Sequence, residues 1–170
     1  MRMSLMRLVG QCIVYKIKEL MESTSVGFVS SKYRIMDGYP NDLDLKTNEL
    51  WPTITVDIDS MFGRDIELGS NRWPGYTFTV DVFAKTDSQR DDLSYNIWKY
   101  LDEDQFSLYN FNSAFPTSTV SVTMYNGINT LGQYAFADLT VFVVPPPAET
   151  EILGLKHHAV IDGVVYLPNL

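Results

Sequence analysis

Thr53-Ile54-Thr55-Val56-Asp57-Ile58-Asp59 and Tyr76-Thr77-Phe78-Thr79-Val80-Asp81-Val82 alternate apolar and polar side chains without a break, with the apolar residue at every even position. Successive side chains on a strand project to opposite faces, so this period of two describes a strand with one face buried and one face wet. The stretch between the runs carries Gly63, Gly69, Asn71, Pro74 and Gly75. It reads as a long connection, with Asp65 to Leu68 extending as a strand arm, and the two strands are expected to pair antiparallel.

Working outward, the period changes from two to about 3.6. Leu5, Leu8, Val9, Cys12, Ile13, Leu20 and Met21 recur at three- and four-residue spacing, with Arg7, Gln11, Lys18, Glu19 and Glu22 between them. That spacing predicts an amphipathic helix from about Met3 to Ser23. A short strand is expected over Val26 to Ile35, and a long surface loop over Asp37 to Trp51, where Asp, Asn, Gly and Pro accumulate. On the other side, Thr86-Asp87-Ser88-Gln89 has the form of a capping box and opens a second helix with Leu93, Ile97, Tyr100 and Leu101 on one face and Trp98 on its flank. Its end, Asp102-Glu103-Asp104, reads as a solvated acidic turn.

Two further strands are expected at Thr119 to Met124 and Tyr134 to Val144. In the latter, Ala137, Leu139, Val141 and Val143 would share one face, and Tyr134, Phe136, Asp138 and Thr140 the other. Pro145-Pro146-Pro147 ends pairing, because proline donates no N–H. Beyond it, Ala159 to Tyr166 contains Asp162-Gly163 between β-branched runs, the signature of a two-residue type I′ hairpin. The chain therefore divides into a core domain over 1–144 and a Pro-initiated C-terminal arm over 145–170. The predicted fold is α+β, a two-layer sandwich with a mainly antiparallel four- to five-stranded sheet, two helices on one face and a hairpin arm.

The opposite face of such a sheet would carry Thr53, Thr55, Asp57, Asp59, Thr77, Thr79, Asp81, Ser121, Thr123, Asp138 and Thr140. It is polar and acidic, almost free of Lys and Arg. It is either a solvated sheet face or, repeated around an assembly, the lining of a passage. The chain of 170 residues carries 13 Lys+Arg against 21 Asp+Glu, a formal net charge of −8. That balance opposes broad contact with nucleic acid phosphates or anionic lipid, but suits a surface past which a polyanion slides. With 45% hydrophobic and 20% charged residues the composition is that of an ordinary globular protein. No stretch approaches the length of a membrane span, and Met1 to Gly10 does not read as a signal peptide.

No catalytic constellation emerges. Cys12 is the one cysteine and sits in an apolar helical pattern, which predicts a buried thiol. His157 and His158 are adjacent on an extended segment, so they point apart and read as surface or interface polarity. Asp57 and Asp59 form a D-x-D that, with Asp81 and Asp138, would make at best a weak cation site, and they also simply continue the Thr/Asp alternation. Gly63, Gly69 and Gly75 are not followed by G-K-[ST], so no phosphate loop is expected. No enzyme activity, metal or cofactor is expected.

The amphipathic opening helix, the Pro52-Thr53-Ile54-Thr55-Val56 strand, the Gly75 to Val82 strand, the helix opened by Thr86-Asp87-Ser88-Gln89-Arg90 and two closing strands together resemble the tail terminator, or tail completion, proteins of tailed bacteriophages. The resemblance spans about Met3 to Val144. It implies a small α/β subunit of a ring, typically hexameric, that caps the tail tube at the head–tail junction and meets the tube protein and the neck or connector proteins. It implies a protein assembled in the host cytoplasm and carried in the virion, with DNA passing through without specific binding. On that basis Asp57, Asp59, Asp81 and Asp138 would face the lumen, and Trp51, Trp73, Tyr134, Phe136, Val160, Val164 and Tyr166 would lie at subunit contacts. The alternative is a monomeric small-ligand or carbohydrate-binding module in which Trp51, Trp73 and Tyr39 stack on the ligand. A metal enzyme using Asp57, Asp59 and Asp81 ranks after both.

Overall fold

A computed structural model describes residues 5–23, 26, 32–38, 45, 51–65, 72–103, 106–109, 130–134, 136–149 and 152–167. The elements are α1 (Leu5–Glu22), β1 (Arg34–Asp37), β2 (Thr53–Asp65), β3 (Arg72–Phe83), α2 (Asp87–Glu103), β4 (Phe106–Tyr109), β5 (Thr130–Tyr134), β6 (Phe136–Val144), α3 (Leu153–Lys156) and β7 (His158–Tyr166). The two alternating runs become β2 and β3, paired antiparallel from Thr53 opposite Phe83 to Asp65 opposite Arg72. Ile54, Val56, Phe78, Val80 and Val82 are buried on one face. Each such burial contributes about 1.5–3 kcal/mol, which is why register is fixed by this face. A bulge between Ile58 and Ser60 then sets Ser60 opposite Thr77.

The fold is α+β, built on a five-stranded sheet of order β1-β2-β3-β7-β6 in which only β1 and β2 run parallel. Both long helices pack on the same face. Val9, Ile13 and Ile17 of α1 and Leu93, Ile97 and Leu101 of α2 join Val56, Val80 and Ile161 in one core. The N-terminus of α2 is capped as its sequence predicts: the Gln89 N–H donates to Thr86 Oγ1 (3.2 Å), and Gln89 Oε1 accepts from the Lys85 N–H (2.9 Å), one residue ahead of the cap. Cys12 is buried in α1.

Three expectations change. The C-terminal hairpin arm does not form: His158–Tyr166 is one continuous strand, paired with β3 on one side and β6 on the other. A type I′ turn needs positive φ at both central residues, whereas among the described residues only Gly38 and Asp138 have it. Ala159, Ile161, Gly163, Val165 and Leu167 keep the period of two straight through the Asp-Gly step, all of them buried. Gly163 serves packing here, since a Cβ at that position would come within 2.6 Å of Leu139 Cδ2 and 2.7 Å of the Phe78 ring. β7 therefore belongs to the core sheet, between β3 and β6, in place of the hairpin expected there.

The second change is in β6. A register shift between Ala137 and Thr140 places Asp138 on a bulge at φ 54, a left-handed conformation that Asp tolerates better than most residues. The phase slips with it, so Phe136 packs on the helix side, 5.2 Å from Phe78, together with Leu139. The third change is in α1, where three polar residues, Gln11, Lys16 and Lys18, are buried although Arg7 is exposed; α1 touches the sheet and also β4 of the separate β4–β5 pair. Lys16 lies over the Tyr100 ring, Gln11 donates to Asp37, and burial pulls the Lys18 ammonium below its ordinary value against the opposing pull of Glu22. The strand expected at Thr119 to Met124, most of that expected at Val26 to Ile35, and Tyr39 lie outside the described residues.

Candidate functional site

The helix-free face of the sheet divides into two halves. In the half nearer the end of β3, register sets Thr53, Phe83, His158 and Val144 in one row, and Thr55, Asp81, Val160 and Phe142 in the next. Loop residues fold over these rows. Leu45, Phe83 and Ile152 form a small second core, with Trp51 and Leu155 packed against it. Beneath this cover, His158 Nε2 lies 2.6 Å from Asp81 Oδ1, and Thr55 Oγ1 donates to Asp81 Oδ2 at 3.3 Å. The imidazole stacks on Phe83, with centroids 4.4 Å apart and planes 15° from parallel. Asp81 and His158 are both buried, and each provides the polar partner that the other needs to be there.

The other half is open. Its row Asp57, Thr79, Asp162 and Thr140 is followed by Ser60, Thr77, Val164 and Ala137, and neither row contains Lys or Arg. Asp57 and Asp59 are exposed and Asp162 is half-buried. Thr79 Oγ1 lies 2.7 Å from Asp59 Oδ2 and 3.0 Å from Asp162 Oδ1, so one hydroxyl proton serves two carboxylates. Ser60 and Thr77 share a 2.6 Å hydrogen bond beside them. Further along, Phe62 meets Tyr166 edge-to-face at 5.9 Å and lies over Gly75, where a Cβ would come within 2.7 Å of its ring.

Of the four aspartates expected on one open face, Asp57 and Asp59 are there and adjoin one another. Asp81 is not, because the cover over Phe83 and the bond to His158 remove it from solvent. Asp138 is exposed but sits on the β6 bulge, outside the row alternation. Asp162 replaces them, and its place was hidden by reading Asp-Gly as a turn. Among the residues expected at subunit contacts, Trp51 packs into its own chain's second core and Phe136 into the main core, since burying these rings internally removes apolar area from water. Val160, Val164 and Tyr166 project from the helix-free face, half-buried in mid-sheet. Trp73 and Tyr134 are placed by backbone pairing opposite Arg64 and Phe106.

The two histidines do point apart, and each finds an aspartate. His157 Nδ1 lies 3.0 Å from Asp87 Oδ1 at the start of α2, and Arg90 reaches the same oxygen at 2.7 Å. Those contacts, the His157 hydrogen bond first, hold the Asp87 carboxyl below its ordinary range. This cluster borders a shallow groove of about 660 Å³ along Pro145, Pro146 and Pro147. Among the described residues, no group of three or more His, Cys, Asp or Glu is arranged to hold a metal ion, and no helix is long and apolar enough to cross a membrane. Compared with known families and curated proteins, the chain matches no family model and no curated protein.

Proposed function

We propose that this chain is a non-enzymatic virion structural subunit, a tail terminator or neck component, that assembles into a ring at a phage head–tail junction. DNA passes through the ring without specific contact. The observation that carries the reading is the open half of the helix-free face. Asp57, Asp59 and Asp162 stand there among Thr and Ser hydroxyls with no cation in their rows. Carboxylates so placed repel phosphate and hold no duplex, which suits a wall that a polyanion must pass at speed. The helices cover the other face, leaving this one for the lumen. The neighbours implied are further copies of the chain, a tail-tube protein and a connector.

The test is native mass measurement and negative-stain imaging of the full chain at high concentration, alone and with tail tubes. Closed rings that cap tubes are expected. A chain that stays monomeric at all concentrations and leaves tubes uncapped would sink the reading. A second arm replaces Asp57, Asp59 and Asp162 by Lys. Rings should persist, but linear DNA, which the unaltered ring does not retard on a gel, should now be held in a salt-sensitive way.

A further inference from the structure

A ring needs two unlike surfaces that fit each other, and the sheet has two unlike edges. Among the described residues, β6 pairs only with β7 and β1 pairs only with β2. On β6, Val141, Phe142 and Val143 are 39%, 52% and 53% exposed. Consecutive residues point to opposite faces, so this strand is apolar on both sides while its outer edge has no strand partner among the described residues. Edges of that kind template another strand, and proteins that remain apart blunt them with charge or proline inside the strand. Between Asp138 and Pro145, β6 has neither.

We infer that the occupant of this edge is β1 of a second copy, so that the sheet continues from subunit to subunit around the ring. This rests on the ring reading above and names the contact that closes it. Directions fit. β1 runs with β2, and successive antiparallel pairings make β6 opposite to both. Rotation about an axis along the strands preserves direction, so β6 meets the next copy's β1 antiparallel, the more stable pairing. The level row Ile35, Ile54, Val82, Ala159, Val143 places Ile35 of one copy opposite Val143 of the other.

Exposed Lys32 precedes β1, and exposed Glu149 stands at the corresponding end of β6, beside a groove that Arg90 and Lys156 also line. Five strands at about 4.8 Å make each copy about 24 Å wide, so six copies enclose an opening about 45 Å across between backbones. The helices then lie outside and the Asp57–Asp162 row inside.

Disulfide trapping on the full chain tests this, since Cys12 is buried and does not compete. Ile35→Cys combined in turn with Val143→Cys and Val141→Cys should oxidise to a covalent ladder ending at the ring, while each single variant should give none. Phe142→Lys, at an exposed position, should leave a folded chain by circular dichroism and shift the native mass to the 19.4 kDa monomer. A Phe142→Cys variant that traps dimers alone would overturn the proposal in favour of two-fold β6–β6 pairing. Rings by native mass without any ladder, or rings that survive Phe142→Lys, would overturn it and leave the ring reading standing. Monomers throughout would remove both.

Discussion

Asp81 and Asp57 occupy the same face of the same antiparallel pair, in adjacent rows with similar Thr/Asp surroundings, yet one is buried against a histidine and the other stands in water. Nothing in the alternation distinguishes them. What separates them is remote: Leu45, Trp51, Ile152 and Leu155 fold over one half of the face and leave the other bare. A polar residue at a strand position is thus assigned to a face by its neighbours in sequence, but to solvent or interior by chain that arrives from elsewhere. The covered half is devoted to stability. The bare half, whose carboxylates crowd one hydroxyl, contributes little to stability and is available for function.

The sharpest way to break that contrast is to make the same substitution in both halves. Phe83→Ala removes the ring at the centre of the second core and the stacking partner of His158, and should cost about 4 kcal/mol in denaturant unfolding. Phe62→Ala, at 37% exposure in the open half, should cost about 1 kcal/mol. Equal losses would mean that the two halves do not differ as described.

Asp81→Ala leaves His158 buried without its partner, and about 3 kcal/mol of destabilisation is expected by the same measurement. Asp57→Asn and Asp59→Asn should each stay within about 0.5 kcal/mol of the parent chain, because both carboxylates are exposed and the hydrogen bond from Thr79 to Asp59 is open to water. A large loss at Asp59 would show that the Thr79 bridge to Asp162 is a structural element.

The antiparallel pairing of β2 with β3, its buried face and both long helices were legible because they rest on periodicity, a property of neighbouring residues. Ile54 to Ile58 and Tyr76 to Val82 fix one buried face, and Thr86 with Gln89 fixes where α2 starts. The path of residues 158–166 was not legible. Both faces of that segment are apolar enough to permit a turn or a strand at Asp162-Gly163, and only the packing of Leu139 and Phe78 against Gly163 decides between them. The candidate site inherits that ambiguity. Asp57 and Asp59 could be placed from their own strand, whereas Asp162 joined them only once β7 lay beside β3. Asp81 was lost for the complementary reason, since its partner His158 lies 77 residues away.

The smallest effect is expected where the adjacent histidine repeats the buried arrangement at the surface. His157 and Asp87 make the same kind of contact as His158 and Asp81, but the Asp87 side chain is 66% exposed, and water and salt screen the contact. The His157 hydrogen bond, aided by Arg90, lowers the Asp87 pKa from its ordinary 3.8. A depressed carboxylate pKa stabilises the fold above the unfolded value, and that contribution disappears as pH falls through the folded value. Thermal melts of the parent chain and Asp87→Asn should therefore differ slightly at pH 6 and converge below about pH 4, more closely still in high salt. For Asp81→Asn, where burial removes the screening, the difference should survive high salt. If the two pairs respond to salt alike, exposure is not what separates them, and the contrast between covered and open surface loses its simplest support.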